Sequence, residues 1–239
     1  MQIIGILVGL IYRTLFMTGE TGLRNVPSIL KIILIVLSAL IYIPLYREPY
    51  IPLLIILVIG LLGYNRWWAA ASLSLSSIPG VWYGLTAYLF GLAGFSNYIA
   101  PLEALMIYFR TTYISLLVLF AGSIISPVRL ANLMIKVGLR DKAITPIVLW
   151  RTMPAGLHDM MEALAIGSLK GEKAWKRLGP ATASMLEYSQ FVWENNYYRL
   201  ESPMKSQLPC KTEKKYTVLV ITGIVVNAII IVLYFVKII

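Results

Sequence analysis

The chain is a series of apolar runs of helical length, separated by short polar breaks. Residues 1–17 are apolar with Arg13 inside the run. No basic stretch precedes the apolar part, so it does not read as a signal peptide. It is short for a membrane crossing, and the pattern predicts an interfacial or shallow first helix. Pro27, a favoured helix-start residue, introduces the first long span, Lys31 to Tyr46. After the turn Arg47-Glu48-Pro49 comes a second apolar run, Ile51 to Tyr64, with Trp67 and Trp68 beyond it in the manner of a headgroup belt.

Ala69 to Phe95 predicts a third span. It carries Ser72, Ser74, Ser76 and Ser77, and Pro79-Gly80 is expected to break or kink it. Small and polar residues in a span face other helices more often than a pore. Tyr98 to Ser126 predicts a fourth span holding Glu103 and Arg110. Charges there belong near an interface or against protein. Tyr216 to Val236 is an unbroken final span, with Lys211, Lys214 and Lys215 on one side and Lys237 on the other. The expected fold is therefore an all-α, polytopic membrane protein with about five spans. Residues 1–126 hold the N-terminal transmembrane helices, 127–215 a long amphipathic segment, and 216–239 the C-terminal transmembrane helix.

Composition agrees with a membrane class. Hydrophobic residues make up 59% of the chain and charged residues 13%, where a soluble domain carries about 25% charged residues. Mean hydropathy is +0.77. The net charge of +10 fits loops held on the cytoplasmic side and contact with anionic lipid, and nucleic acid is not an expected partner. Cys210 is the one cysteine and His158 the one histidine. No intrachain disulfide, cysteine metal cluster or HExxH site can be built from them. There is no P-loop, so ATP is not expected to bind in that way, and the isolated chain is expected to have no catalytic activity and no cofactor.

Lys and Arg concentrate in 127–215, including Arg129, Lys136, Arg140, Lys142, Arg151, Lys170, Lys173, Lys176 and Arg177. The positive-inside rule makes that segment cytoplasmic in a multi-pass cell-membrane protein. It places Arg66, Arg24 and Lys31 inside and Arg47 outside.

The cytoplasmic segment opens with a helix signal: Ser126 at the cap, Pro127 in the first turn, then Leu130, Leu133, Met134 and Val137 on one face, closed by Gly138. A helix from Pro154 to Gly171 follows, ending in Ser168-Leu169-Lys170-Gly171. Another runs from Pro180 to about Glu201, ending in Tyr197-Tyr198-Arg199-Leu200. A cation at a helix C-terminus before glycine is an ordinary cap. Two amphipathic helices both ending in a cation also make a docking platform for a cytoplasmic partner with acidic pockets. His158 and Glu162 share a helix face, but two ligands do not make a metal site. Glu103 and Arg110, seven apart, share a face as a structural pair or a subunit contact, ahead of a polar path.

These features together resemble the T component of energy-coupling-factor (ECF) transporters, the CbiQ-like transmembrane proteins. The likeness covers about Glu20 to Pro203. Gly22-Leu23-Arg24-Asn25-Val26-Pro27, with Lys31, is similar to the family's approach to its first core helix. Ser126-Pro127-Val128-Arg129-Leu130-Ala131 through Val137-Gly138-Leu139 is similar to the segment after its last core span. Arg151-Thr152-Met153-Pro154 and Leu169-Lys170-Gly171 resemble its Arg-x-x-Pro and first Ala-Arg-Gly signatures, and Tyr198-Arg199-Leu200 sits where the second would fall.

The resemblance implies coupling helices whose tips dock on paired ATP-binding ABC subunits. ATP-driven motion would pass through them to a substrate-binding S component, for uptake of a vitamin or a transition-metal ion such as cobalt. Leu169, Lys170, Gly171, Tyr198 and Arg199 would carry the ATPase docking. The motifs depart from the family in Lys170, which lacks the guanidinium fork, and in Leu200, which replaces glycine. A stand-alone carrier or channel, or an intramembrane enzyme, is the alternative. Each needs polar groups gathered at membrane depth, where the spans offer few.

The topology has a direct test. Cysteines introduced within 127–215 should resist an impermeant thiol reagent applied to intact cells, and efficient labelling there would overturn the orientation.

Overall fold

The computed structural model describes residues 2–16, 22–94, 99–171, 176, 179–180, 182–184, 186–188, 190–191, 194–195 and 212–238. All regular structure among them is helical. The helices are α1 (Gln2–Leu15), α2 (Ser28–Leu40), α3 (Tyr50–Gly63), α4 (Arg66–Leu92), α5 (Pro101–Ile124), α6 (Pro127–Lys136), α7 (Thr145–Leu169) and α8 (Lys214–Ile238). Short 3-10 turns lie at Gly22–Asn25 and Arg140–Lys142. The described residues between 176 and 195 are helical as well.

Among the described residues, two helices are long and apolar enough to cross a membrane: α5, and α8 over Lys214–Val236. α4 has the length, at 27 residues, but its serines and glycines dilute its hydropathy. The apolar helix α2, at 13 residues, ends before the Tyr46 that the sequence pattern predicts, while α3, at 14 residues, matches the length of its apolar run. At ~1.5 Å per residue each rises about 20 Å. Pro44 explains the early end of α2. It has no N–H to offer the Leu40 carbonyl and its ring crowds that carbonyl. Residues 41–47 continue as turns, with Tyr42 bonding back to Ala39 and Ile43 to Leu40.

The chain forms two compact units, Met1–Tyr12 with Ile125–Lys211, and Arg13–Ile124 with Thr212–Ile239. In the second, α2, α3, α5 and α8 surround a core of Leu34, Ile56, Ile59, Tyr113, Leu116, Phe120 and Val220, with Trp68 from α4 fully buried among them. Gly60 leaves the space that the Trp68 ring fills, and Phe120 meets that ring edge-on at 5.9 Å. Asn227 of α8 is fully buried and donates to Ser38 Oγ of α2 at 3.0 Å. Tyr113 of α5 donates to the Ser38 carbonyl. These bonds tie three helices through one serine.

α4 and α5 pack closely along small residues. Ser72, Ser76, Gly80 and Gly84 recur every fourth position on α4 and are all buried. Facing them are the backbone and side chains of Ala104, Tyr108 and Thr112. The serines serve packing: Ser72 donates to Trp68 O at 2.7 Å, and Ser76 and Ser77 donate to Leu73 O at 3.0 and 2.7 Å. Helix α4 runs on through Pro79 without a break. Proline is tolerated in such helices where neighbouring helices support the backbone.

In the first unit α6 and α7 pack together, burying Ala131, Ile135, Ala143 and Leu164. Ser126 caps α6 as the sequence predicts, its Oγ accepting from Arg129 N at 3.4 Å with Pro127 at the first position. Gly138, at φ +92, follows its end. α7 begins at Thr145, nine residues before the expected start at Pro154. Pro146 occupies its first turn, where a missing N–H costs nothing, and Pro154 lies inside the helix.

A Cβ at Gly80 would lie 2.2 Å from Thr112 Oγ1 and 2.9 Å from the Tyr108 carbonyl. Gly80→Leu should therefore destabilise the solubilised protein by about 1–3 kcal/mol or more, read as a lower thermal midpoint. Gly9→Ala, inside α1 with nothing within 4 Å of the new carbon, should leave stability unchanged or raise it by up to about 1 kcal/mol. Equal midpoints for both would contradict close α4–α5 packing.

Candidate coupling site

The carbonyls at the end of α5 lack partners in their own helix and carry partial negative charge. Two buried cations meet them. Arg24 is 0% exposed and Lys31 5%. Arg24 Nε donates to Ser123 O at 2.7 Å, and Tyr64 Oη donates to the same oxygen at 2.9 Å. Lys31 Nζ donates to Ile124 O at 3.0 Å and to Arg24 O at 2.5 Å. A second arm of Arg24 donates to Leu15 O, at the end of α1.

Arg24 is placed by the 3-10 turn Gly22–Asn25. Only glycine fits its first position: φ is +68 and a Cβ would lie 2.4 Å from Gly63 O. Asn25 extends the clasp to α8 by donating to Glu213 Oε1 at 2.9 Å. The positive-inside rule assigns Arg24 and Lys31 a side of the membrane but not a partner. Both are buried in protein and close α5 two residues before the Ser126 cap of α6.

Beyond α6 the chain reaches the tip of α7. Leu169 is its last residue and is 88% exposed. Lys170 is exposed and its backbone N–H closes on Ile166 O at 3.1 Å. Gly171, at φ +71, turns the chain away with nothing within 4 Å of its Cβ position, as a glycine at a helix C-terminus does. Leu169, Lys170 and Gly171 thus form an exposed tip that joins one apolar side chain to one cation. Tyr198 and Arg199 lie outside the described residues.

Other candidates separate. Glu103 and Arg110 do not pair: Glu103 Oε2 accepts from Ala100 N at 3.3 Å, at the start of α5. Arg110 donates to Tyr46 O at 3.1 Å and stacks 3.6 Å from the Tyr46 ring. His158 Nδ1 and Glu162 Oε1 are 3.4 Å apart on α7, both side chains more than 60% exposed. Asp159 brings a third ligand atom within 4.8 Å. The three share one face of a single helix, and among the described residues no further His, Cys, Asp or Glu joins them to complete a site.

No family model, curated protein or solved structure matches the chain. Sequence reasoning missed the α5 cap and the buried Asn227. Their signals were present as two cations seven residues apart before a span, and one amide in an otherwise apolar run.

Lys31→Met keeps the length of the side chain and removes its donors. Each carbonyl left without a donor costs about 1–3 kcal/mol, so the thermal midpoint in detergent should fall clearly. Lys136→Met, at an exposed position, should change stability by no more than about 0.5 kcal/mol. A Lys31→Met midpoint equal to that of Lys136→Met would show that the cap is not structural.

Proposed function

We propose that the chain is the transmembrane coupling (T) subunit of an ECF-type ABC importer, with about five crossings built from α2, α3, α4, α5 and α8 and with residues 127–215 in the cytoplasm. Its partners are paired ATP-binding subunits and a substrate-binding S component. Its cargo is a vitamin or a transition-metal ion such as cobalt, and it performs no catalysis itself.

The observation that carries this reading is the tip Leu169-Lys170-Gly171, exposed at the end of the 25-residue α7. A leucine 88% exposed beside an exposed cation suits a partner groove that is apolar with a carboxylate at its end. α6 and α7 belong to a compact unit that also takes in Met1–Tyr12. A self-sufficient carrier needs polar side chains turned toward a shared path. Ser72, Ser76 and Ser77 instead bond to carbonyls of α4 itself.

Lys170→Ala and Arg199→Ala should each weaken capture of the ATP-binding subunits or uncouple hydrolysis from uptake. Removing one partner of a buried charge pair costs about 2–5 kcal/mol. Arg199→Ala should cost more, because a guanidinium grips a carboxylate with two bonds and an ammonium does not. Lys170→Ala should leave the fold intact, since its side chain is exposed. Uptake in cells and pull-down of the ATP-binding subunits, for both single variants and the double variant, measure this. Wild-type uptake and assembly in the double variant would leave these cations a capping role worth about 0.3–1 kcal/mol each and reject docking.

A further inference from the structure

At the start of α4, two arginines converge on one exposed indole. The Arg66 guanidinium carbon lies 5.5 Å from the centre of the Trp67 ring, and the Arg13 carbon lies 6.0 Å from the same ring. Arg13, Arg66 and Trp67 are all exposed. Among the described residues neither guanidinium forms an ion pair. The indole ring attracts each cation, and among the described residues no carboxylate pairs with either of these two like charges. The next residue, Trp68, is fully buried, so α4 enters the helix core directly from this point. Leu61 and Leu62, at the end of α3 and within six residues of Trp67, are exposed at 45% and 57%.

We propose that Arg13, Arg66 and Trp67 form a binding site for the phosphate of an anionic phospholipid headgroup. Planar guanidinium forks match phosphate oxygens. An exposed tryptophan flanked by cations at the end of a membrane-length helix belongs at headgroup depth. The exposed leucines give the acyl chains of the same lipid an apolar surface, which a free phosphate has no use for. The site rests on the membrane reading of the chain and not on the transporter class: it stands if no ATP-binding subunit is ever captured.

The full chain, purified in detergent and stripped of lipid, should be titrated with phosphatidylglycerol and, separately, with phosphatidylcholine, and bound lipid counted by native mass spectrometry. Phosphatidylglycerol should bind in preference. Arg13→Gln with Arg66→Gln should lower its apparent affinity by about thirtyfold, roughly fivefold for each cation. The pair Arg13→Lys with Arg66→Lys, which keeps the charge and loses the forks, should fall between. Arg140→Gln with Lys142→Gln, a control at another exposed basic site, should leave binding unchanged. Equal binding of the two lipids, or an equal loss in the control, would overturn the proposal in favour of diffuse charge. Displacement of the lipid by millimolar inorganic phosphate would assign the patch to a free anion and overturn it as well.

Discussion

A helix buried to its last turn must find donors for its final carbonyls, and this requirement organises the larger unit of the protein. α5 ends against the interior, where water cannot serve. Arg24 and Lys31 supply the donors, and the carbonyls in turn supply the partial negative charge that makes two buried cations tolerable. Neither side is stable there alone. The same contacts fix the end of α1 through Leu15 and, through Asn25 and Glu213, the start of α8. Gly22 and Gly63 must come within touching distance for Arg24 to reach its place. One electrostatic closure therefore holds the ends of several helices in register.

The rest of that unit follows membrane packing rules. The close approach of α4 and α5 depends on side chains being absent, at Gly80 and Gly84. Ser72 bonds within its own helix, to Trp68 O, and Asn227 bonds to Ser38 of a neighbouring one. What remains outside is apolar: Trp82 is 70% exposed and Val118 66%. Such surfaces suit lipid, and they agree with the two helices long and apolar enough to cross a membrane.

Local signals were legible in the sequence and distant ones were not. Ser126, Pro127 and Gly138 define α6 because capping acts over three or four residues, and the structure agrees with each. The end of α2 is also written in the chain, in Pro44, although the apolar run continues past it to Tyr46. Pro154 resembles a helix start in the same way, yet Thr145 and Pro146 supply an earlier one. Arg24, Lys31 and Asn227 could not be placed by periodicity, since each has a partner 93 to 189 residues away. Glu103 and Arg110 share a face by spacing, but each bonds to a backbone group instead, Glu103 to Ala100 N and Arg110 to Tyr46 O. The tip at Leu169 to Gly171 was the most legible part of the candidate site. A helix, a cation and a glycine in order dictate an exposed end, and the exposure is there.

The central claim is that this tip is held by an ATP-binding subunit in the native membrane. A photo-crosslinking residue at position 170, activated in intact cells of the natural host, tests it most directly. The account predicts an adduct with a protein carrying a P-loop, and no such adduct when the crosslinker stands at the exposed Leu139 of the same unit. Adducts confined to lipid, or the same partners from both positions, would contradict it.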